Sequence, residues 1–362
     1  MIEKGKISPF QMALIMHPTI MATATLSVPA ITMRLAGRDM WMAPIISSLV
    51  GFLTIYIIYH LHTKFPNDTF IQYVPRILGR YVGPLLTLIY ILAILYSTCV
   101  TIREYGELIT GNFLNDTPMI IIVVPIVAVC AYALYQGLEV IARSAQLLIP
   151  AAIFIICAMV IMLIPDFQLK QMRPFLGDGL LPPLLGSIVP ASWFSQFFLL
   201  SFLFPYLTNK KIAMKWGIIS VLSVMITMLT VNLPILLTFG SLTTAMHYPF
   251  LVAVRYIALS DFIEHIESLL MAIWLIGIYV KIAIIYYLVT LGTAQLFKLS
   301  DYRPLILPMG FLIMLGSIWV APNFQEMNHA VSTSIPFFSL LLQVVIPGLL
   351  LITVVIKGRL HR

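Results

Sequence analysis

The chain has 362 residues, is 60% hydrophobic and only 10% charged, and has a mean hydropathy of +1.01. Soluble domains are about 45 to 50% apolar and about 25% charged, so this composition excludes a soluble protein and indicates an integral membrane protein. The formal net charge is +7, but the positive charges fall in short connectors, where membrane topology accounts for them. Membrane lipids are therefore the expected surroundings, and no nucleic-acid partner is expected.

Apolar runs bounded by charges, Pro-Asn-Asp clusters or glycine predict ten membrane-spanning helices in a single transmembrane domain, 1–362. The predicted spans are 9–33, 41–63, 82–110, 118–136, 144–165, 182–206, 212–240, 264–297, 303–320 and 334–357. Two amphipathic connectors, 68–80 and 248–260, predict short helices that lie on the membrane faces.

The distribution of basic residues predicts the orientation of the chain. With ten spans, both termini lie on one face of the membrane. Most of the 21 lysines and arginines fall in the connectors of that face. Because connectors rich in lysine and arginine face the cytoplasm, both termini are expected to be cytoplasmic.

The first and sixth spans are the most interrupted. The first contains Pro18 and Pro29 with small residues between them, and the sixth contains Pro183, Gly186 and Pro190. A spanning helix that loses its regular hydrogen bonds needs other partners for the freed backbone groups, and such breaks form the binding sites of secondary transporters. Five spans separate the two breaks, an odd number, so the second half should be inverted relative to the first. The predicted inverted repeats are 9–165, helices 1 to 5, and 182–357, helices 6 to 10.

Several polar segments carry a family resemblance. They are 7–11 (ISPFQ), 172–179 (MRPFLGDG), 203–207 (LFPYL), 262–268 (FIEHIES) followed by Trp274, and 299–305 (LSDYRPL). In these segments the chain resembles the spore germination receptor B-subunit (endospore germination permease) family of the amino acid, polyamine and organocation transporter superfamily. The resemblance implies an all-α polytopic membrane protein with a five-plus-five inverted-repeat, LeuT-type transporter fold. It further implies location in the spore inner membrane, receptor A and C subunits as partners, and a small-molecule germinant as ligand.

The sequence departs from the superfamily pattern at both breaks. Where a Gly-x-Gly is usual in the first helix, the chain has Ala22-Thr23-Ala24, and where Gly-x-Glu is frequent in the sixth, it has Phe194 to Gln196. Glycine lets a ligand approach bare backbone, whereas alanine narrows that approach by a methyl group. Binding of an amino-acid carboxylate at the first break is therefore less assured than the fold.

The predicted ligand site lies between helices 1, 3, 6 and 8. In helix 1, freed N–H groups and the threonine hydroxyls would bind a small solute; alternatively, the small residues permit close packing and the threonines bond back to their own helix. In helix 6, aromatic rings would form an apolar pocket around one amide, or simply pack against lipid-embedded neighbours. The candidate ligand-binding residues are Ala22, Thr23, Ala24, Thr25, Ser192, Trp193, Ser195, Gln196, Tyr279 and Lys281.

Lys281 falls near the middle of the eighth span, where an unpaired charge costs at least about 2.5 to 3.5 kcal/mol. It must therefore face a cavity or a partner, or be neutral. One interpretation is contact with an anionic ligand group, or substitution for a coupling cation; the other is a structural ion pair with Glu104 or Glu107. Arg103 lies one helical turn from Glu107, which predicts an intrahelical pair near the outer end of the third span.

The sequence has no nucleotide-binding loop, zinc motif or nucleophile elbow, so neither a cofactor nor enzymatic activity is expected. Four neighbouring residues could in principle form a metal cluster: Asp261, Glu264, His265 and Glu267. The acidic ones among them are better explained as residues that stabilise the start of a helix. The cysteines have no metal-ligand spacing and are predicted to be small core residues; they are Cys99, Cys130 and Cys157.

Three functions are compatible with these patterns. The first is a receptor B subunit that binds a small nutrient and passes a conformational change to its partners. The alternative is a proton-coupled amino-acid transporter, which needs no partner. The third is an assembly scaffold whose pocket is vestigial.

Overall fold

The computed structural model describes residues 3, 5–257 and 266–360 of the chain. Regular structure in these ranges is helical, apart from one isolated bridge between Ile7 and Leu207. The predicted all-α class is thus confirmed. The α-helices are α1 (Pro9–Ala36), α2 (Ala43–Lys64), α3 (Phe70–Leu78), α4 (Val82–Asn112), α5 (Met119–Gln136), α6 (Leu138–Leu163), α7 (Leu181–Ser195), α8 (Leu200–Leu203), α9 (Ala213–Phe239), α10 (Pro249–Tyr256), α11 (Ile266–Leu296), α12 (Ile306–Trp319), α13 (Phe324–Ser332), α14 (Ser334–Leu340) and α15 (Ile346–Leu360).

Eight helical stretches of the described chain are long and apolar enough to cross a membrane, and a ninth arises if α12 and α13, bent by 99°, form one crossing. The first stretch, Pro9–Lys64, has 56 residues. At 1.5 Å per residue it would be roughly 84 Å long, far more than the roughly 30 Å of a bilayer core, so it must cross twice, as α1 and α2. Counting α1 and α2 separately gives nine crossings, and α12 with α13 gives the tenth, in agreement with the predicted ten spans.

The break predicted in the first crossing is wrong. α1 is one uninterrupted helix of 28 residues with Pro18 and Pro29 inside it. Each proline removes only one backbone donor, and the alanines between them are the strongest helix formers. The Thr25 hydroxyl donates to the carbonyl of Met21 at 3.0 Å, so this threonine bonds back to its own helix. Helix 1 therefore presents side chains to a ligand rather than freed N–H groups.

The sixth crossing is irregular, as predicted, but its α-helix runs through Pro183 and Pro190, and the irregularity begins only at Gln196. The α-helix α7 stops at Ser195, a 3₁₀ segment follows over Gln196–Leu199, and the short helix α8 leads into a second 3₁₀ turn, Phe204–Tyr206. The backbone tightens at Gln196 because a 3₁₀ helix has three residues per turn instead of 3.6. This change of pitch sets which side chains of the crossing face the interior.

The tenth crossing carries an irregularity that the sequence did not predict. A π-helical segment, Leu341–Val345, joins α14 to α15. It lies against the 3₁₀ segment of the sixth crossing. π-helical segments are rare and are frequent at functional sites. The two irregular segments that face each other are therefore in crossings six and ten, rather than in one and six.

The two amphipathic connectors form short helices, as predicted. α3 follows the second crossing and α10 follows the seventh, and residues 258–260 of the second connector lie outside the described residues. The α3 helix begins with a capping box in which Thr69 and Gln72 bond to each other's backbone N–H groups. Their positions, five crossings apart, match an inverted repeat.

The packing partners of the helices follow the same relation. α1 packs on α9 while α7, its expected counterpart in the second half, packs on α2; likewise α1 contacts α6 while α7 contacts α14. In a five-plus-five repeat, crossing 1 corresponds to 6, crossing 2 to 7 and crossing 5 to 10, so each contact of α1 has an equivalent contact of α7. The repeat boundaries 9–165 and 182–357 stay a prediction.

The N-terminal strap, which we define as the described residues among 3–8, joins several helix ends. Buried Glu3 accepts hydrogen bonds from the hydroxyls of Tyr287 and Tyr302, both at 3.2 Å. Ile7 donates its N–H to the carbonyl of Tyr206 at 3.0 Å, and its own carbonyl accepts the N–H of Thr208 at 3.0 Å. The strap thus ties the end of the sixth crossing to the eighth and to the start of the ninth.

Close packing of α3 on α4 depends on Gly83, because a methyl group at this position would overlap the Cα of Pro75. We expect Gly83→Ala to displace α3 and to lower the free energy of unfolding by about 1 to 3 kcal/mol, as measured by thermal or denaturant unfolding. The control is Gly111→Ala in the same helix, where an added methyl meets no atom within 4 Å. It should be neutral or slightly stabilising, and equal loss in both variants would contradict the packing explanation.

Candidate ligand-binding site

A cavity lies among the third, sixth, eighth and tenth crossings and reaches Thr23 of α1. The centre of a water molecule can move through about 90 Å³ of it. Since one water needs about 10 to 15 Å³ on that measure, the cavity holds a molecule of roughly six to nine non-hydrogen atoms. The sequence predicted a ligand site between helices 1, 3, 6 and 8, and the structure adds the tenth crossing to the cavity wall.

Thr23 is the centre of the polar contacts in this cavity. Its hydroxyl oxygen accepts hydrogen bonds from Nζ of Lys281 at 2.7 Å and from Nε1 of Trp193 at 3.0 Å. All three side chains are buried. These two bonds use both lone pairs of the oxygen, so the hydroxyl hydrogen can be donated to a ligand. Lys281 and Thr23 together therefore form a donor pair suited to an anionic oxygen.

Glu104 is the acidic side chain of the cavity. It lines the same space as Lys281 and interacts with it electrostatically. The two residues are not in direct contact, because the ion pairs in the described ranges are others. Glu107 pairs instead with Arg103 at 2.8 Å, which confirms the predicted intrahelical pair. The cavity thus holds a cationic and an anionic group with space between them.

The end of α7 and the start of the 3₁₀ segment carry hydroxyl and amide groups at or beside the cavity, and of these Ser195 lies behind the lining. The Ser195 hydroxyl donates to Oε1 of Gln343 at 2.8 Å and lies 2.8 Å from the carbonyl of Ser192. The Ser192 hydroxyl bonds to the carbonyl of Val189 at 2.7 Å. Gln196 lines the cavity, and its Oε1 is shielded from solvent without a hydrogen-bond partner in the described part of the chain.

The other candidate residues do not line the cavity. Ala22 packs against the eighth crossing, where a Cβ on Gly277 would come within 3.3 Å of it, and Ala24 is fully buried. The Thr25 hydroxyl oxygen accepts from Nε1 of Trp274 at 3.0 Å. The Tyr279 hydroxyl lies 3.4 Å from the hydroxyl of Ser144 on α6, away from the cavity. Of the ten candidates, Thr23, Ser192, Trp193, Gln196 and Lys281 line the cavity, and their role in binding stays a prediction.

Glu104 and Gln343 are among the cavity residues that the sequence reasoning missed. Glu104 was considered only as a partner for Lys281 or an outer-end residue, and Gln343 was not considered at all. Gln343 is an isolated amide in the apolar run 334–357, and a polar side chain inside a spanning segment usually faces the protein interior. That rule would have placed it in the site.

Other polar and sulfur-containing side chains of the crossings have structural surroundings. Nε2 of His17 lies 3.0 Å from the Thr227 hydroxyl, which links α1 to α9. Cys99 and Cys130 are buried, as predicted, but Cys157 is exposed on α6, so the prediction of a core residue is wrong there. The described residues contain no group of three or more His, Cys, Asp or Glu placed to hold a metal ion. Asp261, Glu264 and His265 lie outside the described residues.

The helix arrangement and the central cavity define a secondary-transporter fold of the LeuT type. The solved structure of a substrate-bound, outward-open Na⁺-coupled sialic acid symporter matches with a TM-score of 0.65 at 12% identity, covering 94% of this chain and 80% of that one. The crystal structure of MhsT in complex with L-phenylalanine matches with a TM-score of 0.64 at 10% identity, covering 96% of this chain and 89% of that one. At these identities the likeness concerns the fold alone.

Within that fold class, the sequence gives a narrower assignment. The family model described as "Spore germination protein" matches residues 6–325, and the chain belongs to this family. A curated relative, Spore germination protein KB of Bacillus subtilis (strain 168), is 28% identical over 365 residues, covering 99% of this chain and 97% of the relative. The family resemblance read from the polar segments is thereby confirmed.

Proposed function

We propose that this chain is the B subunit of a spore nutrient-germinant receptor, which binds a small molecule such as an amino acid in the central cavity to trigger germination. Membership of the germination family gives the biological setting. The observation that carries the proposal is the charged cavity: Lys281 and Glu104 face one small space without a direct contact between them. Lys281 is buried and Glu104 is partly buried, and two such charges that do not satisfy each other are suited to a ligand that carries both signs.

Signalling would follow from the position of the cavity between two groups of helices. On one side the cavity wall is formed by α1, which packs on α9, and by α7, which packs on α2. On the other side it is formed by α4 and α11. A ligand that contacts both groups favours the arrangement in which they are close, and so shifts a two-state equilibrium. In this proposal the A and C subunits respond to that shift, in the spore inner membrane and with both termini cytoplasmic. The role requires no enzymatic activity.

The test is ligand-dependent thermal stability of the assembled receptor. Small L-amino acids, each alone, are added to the purified complex while its unfolding midpoint is measured, and a hexose and a ribonucleoside, which exceed the cavity and lack its paired charges, serve as comparison compounds. A ligand present at 100 times its Kd stabilises the native state by about 2.7 kcal/mol, so a specific ligand should raise the midpoint visibly. If no compound shifts the midpoint of a complex that still supports germination, the proposal is wrong.

One observation also favours the alternative, a proton-coupled amino-acid transporter. Lys281 and Glu104 are ionisable groups in one cavity of a membrane protein, and such groups form proton relays in transporters. In this case the purified chain alone, in liposomes, should catalyse counterflow of an amino acid, and Lys281→Ala should abolish it. Germinant binding without counterflow would favour the receptor.

A further inference from the structure

The central cavity has an apolar side where α4 approaches α14. The side chains that line this side are Ala93, Ile94, Tyr96, Val100, Ile335 and Phe338. The polar contacts of the cavity centre instead on Thr23 of α1, which bonds to Trp193 and Lys281. The proposed function uses those polar groups and assigns no role to the apolar side.

Two side chains of the apolar side are exposed on the outside of the helix bundle. Tyr96 is 42% exposed and Phe338 is 51% exposed, although both line the cavity. Ala93 and Ser339, which also line it, are half-buried. The cavity thus reaches the side of the bundle between α4 and α14. We call this opening the lateral mouth and define it by Ala93, Tyr96, Phe338 and Ser339.

The two helices that border the lateral mouth pack mainly on other neighbours. α14 packs on α7 and α13, whereas α4 packs on α11, α12 and α3. At one edge of the mouth, the Tyr90 hydroxyl donates to the carbonyl of Leu342, which links α4 to the π-helical segment. Because the two helices are anchored separately, the gap between them beside this link is part of the fold.

The lateral mouth lies at the depth of the hydrocarbon in the bilayer. Tyr96 is 14 residues from Val82 and 16 residues from Asn112, the two ends of α4. At 1.5 Å per residue these ends are about 21 Å and 24 Å away, whereas a hydrocarbon core extends only about 15 Å from its centre. Leu92, one turn before Tyr96, is 53% exposed and belongs to the same lipid-facing row. Lipid tails therefore meet the mouth, rather than headgroups or bulk water.

An acyl chain fits this opening better than a helix of a partner subunit does. A helix with its side chains is about 10 to 12 Å across, which is too wide for the entrance to a cavity of about 90 Å³. An acyl chain is a single row of methylene groups. An unfilled gap would lose the dispersion contacts of its lining, and an apolar lining does not hold water. Since lipid tails are as apolar as leucine, a chain that enters keeps apolar surroundings and gains contact with the two rings.

We propose that the terminal part of a phospholipid acyl chain enters the lateral mouth and occupies the apolar side of the cavity as far as Val100. The chain ends of the two leaflets meet at the bilayer centre, which is the depth of Tyr96, so a lipid need not leave its leaflet. The site takes one alkyl chain and requires no contact with a headgroup. It is independent of the proposed function, because a chain can occupy it whether or not a germinant binds.

The test uses the assembled complex in nanodiscs whose phosphatidylglycerol carries a photoreactive diazirine near the end of one acyl chain. After irradiation, mass spectrometry locates the labelled side chains. Val100 is 8% exposed and Ile91 is 5% exposed on the same helix, but of these two only Val100 lines the cavity. Contact with the inserted chain should label Val100 at least about fivefold more often than Ile91. Lipid that carries the diazirine on its headgroup should label neither of them.

Ala93→Phe should fill the lateral mouth and lower the labelling of Val100 by at least about fivefold. Leu92→Phe is the matched control, because it adds the same ring at the adjacent, lipid-facing position and should leave the labelling unchanged. Leu49, which is 65% exposed on α2, reports contact with the surrounding lipid and should be labelled equally in all variants. Ser97→Leu, at another lining position, takes the place of Ala93→Phe if that variant does not assemble.

Equal labelling of Val100 and Ile91 in the wild type overturns the inference. Labelling of Val100 that persists when the mouth is filled overturns it as well. If the chain alone is labelled at Val100 and the assembled complex is not, a partner subunit covers the mouth, and the inference is again wrong. These measurements need no germinant, so failure of the proposed function and failure of this inference are distinguishable.

Discussion

Replacing Lys281 with methionine is expected to weaken ligand binding about 10- to 150-fold, because one charge-assisted hydrogen bond contributes about 1.5 to 3 kcal/mol. Lys281 is 2% exposed and its Nζ donates to Thr23 at 2.7 Å, so no solvent group can replace it. The measurement is the ligand concentration that gives half the maximal thermal shift. Lys215→Met, at an exposed lysine of α9, is the matched control and should bind as the wild type does.

The same substitution should also expose the link between Lys281 and Glu104. With the ammonium removed, the Glu104 carboxylate remains in the cavity without its cationic neighbour. We expect Lys281→Met to destabilise the empty protein by about 1 to 3 kcal/mol, and Lys281→Met combined with Glu104→Gln to recover part of that loss. A double-mutant cycle with no coupling would show that the two charges act independently, and would remove the main support for a ligand of both signs.

Glu3→Ala is expected to loosen the N-terminal strap. The substitution removes the acceptor of the buried Tyr287 hydroxyl, while Tyr302 keeps its bond to the carbonyl of Leu134 at 3.2 Å. Leaving one buried donor unpaired costs about 1 to 3 kcal/mol. Hydrogen–deuterium exchange at the amides of Ile7 and Thr208, which bond across the strap, should therefore accelerate by about 5- to 150-fold.

Two further substitutions serve as controls for the strap. Glu139→Ala removes another carboxylate that bonds to the strap, at the N–H of Lys6, but this bond is exposed and its loss should change exchange much less. Glu3→Gln keeps an acceptor oxygen and should protect the amides nearly as well as the wild type. Burial, followed by the charge of Glu3, raises the pKa of Tyr302 above its usual value, so this hydroxyl stays a donor at neutral pH. Unchanged exchange in Glu3→Ala would show that the backbone bridge alone holds the strap.

The fold could be predicted from the sequence because its signals are local. Apolar length gives the crossings, the charges at their ends give their limits, and amphipathic patterning gave α3 and α10. Prolines and small or polar residues predicted interruptions in helices 6 and 1, but the irregularity of helix 6 begins after its prolines, at Gln196, and helix 1 has none. Two prolines there lie 11 positions apart, and the residues between them keep enough backbone hydrogen bonds to remain helical.

The site was less predictable because it depends on which face of each helix points inward. Residues two apart on an α-helix point in directions about 200° apart, so Tyr279 and Lys281 could not both face one cavity. The consecutive residues 22–25 have the same restriction, and of these only Thr23 reaches the cavity. Helical geometry alone could have removed these candidates. The π-helical turn that carries Gln343 comes from packing between crossings, which no local pattern reports.

An unbroken helix 1 has a consequence for how related receptors can diversify. A site built from freed backbone groups recognises the same ligand end whatever the side chains are, so changing its preference requires rebuilding the backbone. Here the groups that face the cavity are side chains, such as Thr23, Gln196 and Lys281. Single substitutions can change each of them while the helices stay in place. Duplicated copies of such a receptor could therefore acquire new nutrient preferences by a few point mutations, with the signalling framework inherited intact.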